Sequence, residues 1–591
     1  MARFQLQDDG EKTAGLYALL KRRGFFWPSF EIYGGVAGFY DLGPLGTQLR
    51  NNIEEVWREL FVLSEDFSEI DCPSITPEVV FRYSGHLEKF TDHLSRCASC
   101  GSPWRADHLL EGIIENPDTL SQDEIEVALT GSKIKCPQCG GELGPPEEFN
   151  LMFSTGIGPG GDKKAYLRPE TAQNIFLDFS LLLRYNRGRI PFGVIQIGKG
   201  FRNEISPRQG MIRLREFHMA EGEFFHDPEE KGYPRFDKYR NWEANLIVNE
   251  DPKNTKRTTL GEAVANGIIG SEVLAHFMGV TLDFILRVGI PENEVRFRQH
   301  LKSEMAHYAR DCWDLEVNTS FGWIEMVGIA DRSAYDLTQH SHGSGNDLKA
   351  QRKFYEPLIR NVKRVRADMS SVGPLFKGKA GEVIEILESL DPDMAGDLVD
   401  RKKPIPIEIQ GEKFDVPYTA VSVIETKERV HTEDFVPNVV EPSFGIDRIM
   451  TAVLEHAYDE AASSPMTDGE GSDGPYRVLR LEDRIAPIKC GVFPLLNKDG
   501  LPEIAEDIME RMRETGIRSY YDSSGSIGRR YARMDEIGTP YCITVDHDTR
   551  EDDKVTIRDR DTGKQIRIPR NASGMVIESM VSGQREFESF L

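Results

Sequence analysis

Gly198 to Glu221 reads GKGFRNEISPRQGMIRLREFHMAE. Arg202, Arg208, Arg213 and Arg215 stand among apolar residues, with Glu204, Glu216 and Glu221 close by. Val194, Ile195 and Ile197 lead in as a strand signal. Ser206, Pro207, Gln209 and Gly210 interrupt it, and Ile212, Leu214 and Phe217 resume it. The pattern predicts two antiparallel strands joined by a long loop. Such a hairpin holds guanidinium groups at fixed spacing, and each can bond phosphate or carboxylate oxygens through two nitrogens at once. Arg and Glu together suit a ligand that carries phosphates alongside hydroxyls or amines. The competing reading is a solvated strand face laced with surface ion pairs.

A second segment, EPSFGIDR at 441–448, places an acid, a small hydroxyl, a Gly and an Arg at the mouth of a helical run through Ile449, Met450, Val453 and Leu454. Together the two segments resemble motifs two and three of the class II aminoacyl-tRNA synthetases. The resemblance implies an α+β fold with an antiparallel-sheet catalytic core. Arg202 and Arg448 would be its catalytic pair holding ATP, with Phe217 as the ring stacked beneath adenine.

The resemblance narrows further. EIYGGVAGFYDLGPLG (31–46), YLRPETAQNIF (166–176), FRQHLKSEMAHYA (297–309) and GWIEMVGIADRSAYDL (322–337) look like the dimeric archaeal and eukaryotic glycyl-tRNA synthetases. That family activates glycine with ATP to glycyl-adenylate and transfers it to the 3′ end of tRNA(Gly). Carried over position by position, ATP would be bound by Arg202, Asn203, Glu204, Arg213, Leu214, Phe217, Glu325, Met326 and Arg448. Glu204 would accept from the adenine amino group, and Arg213 would grip the outer phosphates. Glu325 would hold Mg²⁺, which takes hard oxygen ligands. Glycine would be bound by Glu170, Glu221, Glu441 and Ser443, with Arg332 on the carboxylate side.

This chemistry needs no covalent enzyme intermediate; positioning and stabilisation of charge at the α-phosphorus suffice. Glycine has no side chain to hold, so larger amino acids must be excluded by a packed wall. Three carboxylates around one ammonium are otherwise hard to justify, because unpaired buried charge is costly. GIGPGG at 156–161 fits a dinucleotide fingerprint formally, but Pro159 lies inside it and no suitable helix follows. Neither a GxxxxGK[ST] loop nor the HIGH and KMSKS signatures of class I synthetases occur.

Length and composition bound the answer. The 591 residues imply several domains, and 39% hydrophobic with 29% charged residues describes a soluble globular protein. No apolar run reaches the length of a membrane span, and MARFQLQDDGEK lacks the apolar stretch of a signal peptide. A cytoplasmic enzyme without membrane contact is the expectation. The formal net charge of −25, from 72 basic and 97 acidic residues, is awkward for a tRNA binder, because phosphate contacts dominate nucleic-acid affinity. Basic residues must be concentrated locally. The candidates are Lys199–Arg215, Lys349–Arg366, Arg401–Lys403 and Arg529 with Arg530; each also reads as a solvated face.

Four of the eight cysteines form two doublets, Cys97 with Cys100 and Cys136 with Cys139, each followed by Gly (Gly101, Gly140). Gly permits the tight turn that aims backbone N–H groups at thiolates, so the layout is that of two zinc knuckles. The interval exceeds the usual ribbon spacing, and Leu109–Leu129 would fill it as a small helical excursion. Disulfides are the rival, disfavoured in a reducing cytoplasm. The family resemblance implies a structural role for the Zn²⁺. Cys72, Cys312, Cys490 and Cys542 read as core residues.

Leu45, Leu49, Ile53, Val56, Trp57, Leu60 and Phe61 recur at helical spacing, and Phe67–Pro73 follows as a strand. This pair resembles motif one, which in the family packs against its twin across a homodimer interface. A catalytic domain is expected over 1–484. Its insertions are zinc-finger-like at 97–140, mainly helical at 227–318 and mixed at 349–432. Residues 459–475, DEAASSPMTDGEGSDGP, read as an exposed linker. Alternating β and α signals from 485 to 591 imply a parallel or mixed sheet with helices on its faces. That tail resembles the anticodon-binding domain of the glycyl, threonyl, prolyl and histidyl enzymes.

Overall fold

The Arg-bearing segment folds as a hairpin in the computed structural model, which describes residues 10–114, 117, 120–207, 210–301, 309–409, 411–461 and 476–590. Its strands belong to a nine-stranded sheet. In chain order these are β1 (Ser68–Glu69), β2 (Phe192–Phe201), β3 (Glu216–His226), β4 (Glu243–Ile247), β5 (Lys256–Thr259), β6 (Val295–Gln299), β7 (Asp311–Thr319), β8 (Gly322–Ser333) and β9 (Asn438–Gly445). The spatial order is β5-β4-β6-β7-β8-β9-β3-β2-β1. Neighbours are antiparallel except β1 with β2 and β4 with β6. Arg202, Arg213 and Arg215 lie in the loop between β2 and β3, and Arg208 falls outside the described residues.

Strand alternation divides the residues of β3 and β9 between two faces. Ala220, Phe224, Val440 and Phe444 turn to a hydrophobic core built by three helices, α1 (Pro44–Arg58), α2 (Glu272–Arg287) and α3 (Ile446–Ala457). Trp57 stacks on Phe61 at 4.4 Å, and Phe444 meets Trp57 and Phe284 edge-on at 5.7 and 5.4 Å. Glu221, Glu441 and Ser443 turn to the opposite face. On β8 a bulge makes Glu325 and Val327 face consecutive residues, Glu316 and Leu315, across the pair. The extra residue, Met326, re-aims Glu325 to the Ser443 side of the sheet.

Residues 227–318, expected to be mainly helical, carry α2 and the helix Leu260–Ala265 together with β4, β5, β6 and most of β7. The expected strand at 67–73 is reduced to β1, extended by a bond from Ile70 N–H to the Ile195 carbonyl at 2.9 Å. GIGPGG lies in the tip of a hairpin formed by Ser154–Ile157 and Lys163–Leu167, not at a strand-to-helix turn.

The described chain forms two units, Met1–Leu348 with Val436–Leu591, and Lys349–Phe435. The second unit is a long antiparallel ribbon, Ala350–Ala367 against Val421–Phe435, with three helices and a short hairpin around Val372, Val383, Leu387 and Ile405.

The tail carries its own five-stranded sheet. In order these are Ser519–Tyr521, Cys490–Pro494, Tyr541–Val545, Lys554–Asp559 and Gln565–Pro569, the first three parallel and the rest antiparallel. It belongs to the same unit as the catalytic sheet. Leu479, Ile485, Phe493, Tyr531 and Ile537 join the core of Trp57 and Phe444. Most of the expected linker, 462–475, lies outside the described residues, and its flanks pair, Tyr458–Ala461 against Tyr476–Leu479. Among the described residues no helix is long and apolar enough to cross a membrane.

Candidate active site

The β2–β3 loop, β8 and the start of α3 enclose an open cleft lined by Arg202, Glu204, Arg213, Phe217, Glu325, Met326 and Arg448. Arg202 is fixed by its backbone, whose N–H bonds the Arg215 carbonyl at 3.0 Å. Its guanidinium donates to the Pro169 carbonyl at 3.3 Å and lies 5.3 Å from the centre of the Phe217 ring. Arg448 donates to the carbonyls of Ile212, at 3.1 Å, and Glu325, at 2.9 Å, and to the Glu325 carboxylate at 3.2 Å. Desolvation acts to raise the Glu325 carboxyl, but Arg448 and Arg202 outweigh it and hold the group below its ordinary range.

Arg213 and Glu204 bond each other at 2.9 Å, and Arg213 also reaches His108 at 3.4 Å. Leu214 and Met326 are buried, and Asn203 N–H bonds the Leu151 carbonyl at 2.6 Å.

The residues expected to bind glycine converge beside this cleft. One oxygen of Glu221 accepts from Thr171 N–H and Oγ1, both at 2.5 Å, and the other from Ser443 Oγ at 2.6 Å. Glu170 meets His86 at 3.2 Å, Gln173 at 2.9 Å and Arg332 at 4.0 Å. Burial would raise the Glu170 carboxyl, yet His86 and Arg332 hold it well below the usual carboxylate range. Burial, opposed by Arg332 and reinforced by Glu221 and Glu170, pushes Glu441 up to about 8.

Arg332 is buried and engaged by Asp336, at 2.8 and 3.0 Å, and by Glu441, at 2.7 Å. It therefore acts here as the counter-ion that holds Glu441. Thr171, His86 and Asp336 escaped the sequence reading. Only Asp336 left a local signal, its place four residues after Arg332.

The four paired cysteines come together, with Sγ–Sγ distances of 3.5 Å for Cys97–Cys139 and 3.7 Å for Cys100–Cys136. Thiolates about 2.3 Å from a tetrahedral zinc would lie about 3.8 Å apart, whereas bonded sulfurs lie about 2.05 Å apart. The thiol set therefore fits zinc. Gly101 and Gly140 have φ of 73° and 74°, the left-handed turns expected of knuckles. The excursion between them contains the helix Gln122–Gly131, capped reciprocally by Ser121 and Glu124. Of the remaining cysteines, Cys312, Cys490 and Cys542 are buried and Cys72 is half-buried.

Residues 158–243 match the family described as tRNA synthetase class II core domain (G, H, P, S and T), and residues 489–579 match the anticodon binding domain. The chain is 49% identical over 569 residues to the glycine–tRNA ligase of Methanothrix thermoacetophila, covering 96% of each chain. Identity is 46% over 572 residues with the Archaeoglobus fulgidus glycine–tRNA ligase, covering 97% of each. The chain belongs to the glycine–tRNA ligase family. As such it is an aminoacyl-tRNA ligase that joins glycine to tRNA. The solved structure of Giardia lamblia prolyl-tRNA synthetase in complex with prolyl-adenylate shares the fold, with a TM-score of 0.50 at 13% identity over 97% of this chain and 79% of that one.

Proposed function

We propose that adenylation of glycine takes place where the Arg202–Arg448 cleft meets the pocket of Glu170, Glu221, Glu441 and Ser443. The observation that carries this reading is the excess of buried carboxyls. Among the described residues, four carboxyls, Glu170, Glu221, Glu441 and Asp336, are answered by two guanidiniums, Arg332 among them and Arg168 acting on Glu221, with His86 at the edge. An ammonium ion supplies the missing positive charge. Arg202 then bridges the glycine carboxylate and the α-phosphate, where charge develops in the transition state. Arg448 exchanges its carbonyl partners for the γ-phosphate. Glu204 and Arg213 separate to meet adenine and the outer phosphates.

Glu325 would hold Mg²⁺, which neutralises phosphate charge when bound. Cys97, Cys100, Cys136 and Cys139 would hold one structural Zn²⁺. The tail reads the anticodon of tRNA(Gly), which orients the acceptor end for attack on the adenylate. The enzyme acts in the cytoplasm as a homodimer through the α1–β1 region. The apolar side of α1 is spent on the core, but Leu63, shortly after it in the chain, is 78% exposed, a residue suited to contact with a second copy.

The test is ATP–pyrophosphate exchange measured across the amino acids. Glycine alone should support fast exchange, because the wall excludes a methyl group. Comparable turnover with alanine would overturn the pocket assignment.

A further inference from the structure

Glu223 stands two residues after Glu221 on β3, so its side chain leaves the sheet on the same face. It is completely buried, and neither of its carboxyl oxygens has a hydrogen-bond partner. The register that sets Glu221 against Ser443 and Phe224 against Val440 places Glu223 directly opposite Glu441. Side chains so opposed have Cβ atoms about 4.5–5.5 Å apart.

The charged groups around Glu223 are Glu221 on its own strand, Glu441 on β9, Arg332 on β8 and Asp336 on the helix Tyr335–Ser344. β2 sets the apolar Val194 against it. Arg332 is the one cation in this group, and Asp336 and Glu441 already engage it. A second bare carboxylate opposite Glu441 would be an unpaired buried charge beside a like charge, which is strongly disfavoured. Burial, and then Glu441, push the Glu223 carboxyl well above its ordinary range.

We propose that Glu223 and Glu441 share one proton in the empty pocket, and that the ammonium of glycine displaces it. The proposal rests on Glu170, Glu221, Glu441 and Ser443 forming the glycine pocket. One O–H bond breaks and its proton passes to solvent. The ammonium keeps its three hydrogens, and nothing is oxidised or reduced. The empty pocket avoids repulsion between two opposed carboxylates, yet presents both to a cation. Glycolate, with an uncharged hydroxyl in place of the ammonium, brings no positive charge with which to displace the proton, so the pair selects for the amine itself.

The experiment is calorimetry of the full-length protein with a non-hydrolysable glycyl-adenylate analogue. It is run near neutral pH in buffers of low and high ionisation enthalpy. Binding should release about one proton per site. Binding without proton release would overturn the proposal, and this arm needs no variant. In exchange assays the wild-type KM for glycine should fall as pH rises through the titration of the pair. Glu223→Gln should flatten that fall with little change in the KM for ATP; an unaltered profile would overturn the shared proton. Glu221→Gln separates the two levels of the reading. It should raise the glycine KM across the whole pH range, and if it does not, the pocket itself is misassigned. If it does while Glu223→Gln keeps the wild-type profile, only the shared proton fails.

Discussion

Asp336 accepts two hydrogen bonds from Arg332, at 2.8 and 3.0 Å, so the guanidinium that meets Glu441 is aimed by a residue four positions downstream. Both side chains are 1% exposed. Removing Asp336 takes away two charge-assisted hydrogen bonds and leaves Glu441 as the partner of the buried guanidinium, at a cost of about 1.5–3 kcal/mol for each bond lost. Asp336→Ala should lose stability on this scale in urea denaturation. Any protein that remains folded should show a raised KM for glycine with the KM for ATP nearly unchanged.

Arg202→Ala should lower the rate of glycine-dependent exchange by about 10²–10³, the usual consequence of removing one preorganised transition-state donor. Circular dichroism should remain native, because the bond from Arg202 N–H to Arg215 belongs to the backbone. A loss of only a few-fold would mean that the phosphate clamp lies elsewhere.

Elemental analysis should find one zinc per chain, and Cys136→Ser should lower it substantially, since structural zinc sites rely on all four ligands. Chelation should also loosen residues 91–150 in hydrogen exchange. Zinc content unaffected by the substitution would count against the site.

Glu441 links stability to pH with a definite sign. Its pKa rises from an ordinary unfolded value near 4.5 to about 8 in the fold. Between those values the folded state holds more protons, so raising pH through this window costs stability. Glu441→Gln should therefore show a shallower decline in stability than wild type over the same interval, in denaturation curves taken across pH. Equal slopes would mean that the group ionises normally in the folded protein.

Truncation after Gly471 should give an unstable protein. Leu479, Ile485, Phe493 and Ile537 complete the core of α1 and α3, and Arg22 and Arg23 both reach Glu536 in the tail. Differential scanning fluorimetry of the truncated chain should show a broadened or much lowered transition. A cooperative, native-like melt would show that the catalytic sheet stands alone.

The hairpin, the helix after EPSFGIDR and the cysteine doublets were legible because each carries its signal locally, as alternation, helical spacing or paired thiols. The strands between 227 and 318 were not. β4 and β5 mix buried Ala244 and Leu246 with exposed Glu243, Lys256 and Arg257, and the strong helix α2 lies between them and β6. The polar composition of 459–475 reads as an exposed linker, yet the chain returns to pair Tyr476–Leu479 with Tyr458–Ala461. Arg530 read as a nucleic-acid contact beside Arg529. It is buried, and it donates to the Ser523 and Gly525 carbonyls at 3.1 and 2.8 Å. Glu223 carries no local signal of its role, because its burial is created by β2 and β9 and not by its sequence neighbours.

Arg448 has consequences for ionic strength. Its cation is answered by two backbone carbonyls and by Glu325. Little of its field extends into solvent to gather counter-ions or to draw nucleotide from a distance. ATP must then be captured by exchange of short-range bonds, and such bonds are barely screened by dissolved ions. The adenylation half of the reaction should accordingly tolerate high salt, while the transfer half, which has to recruit a long polyanion, should not.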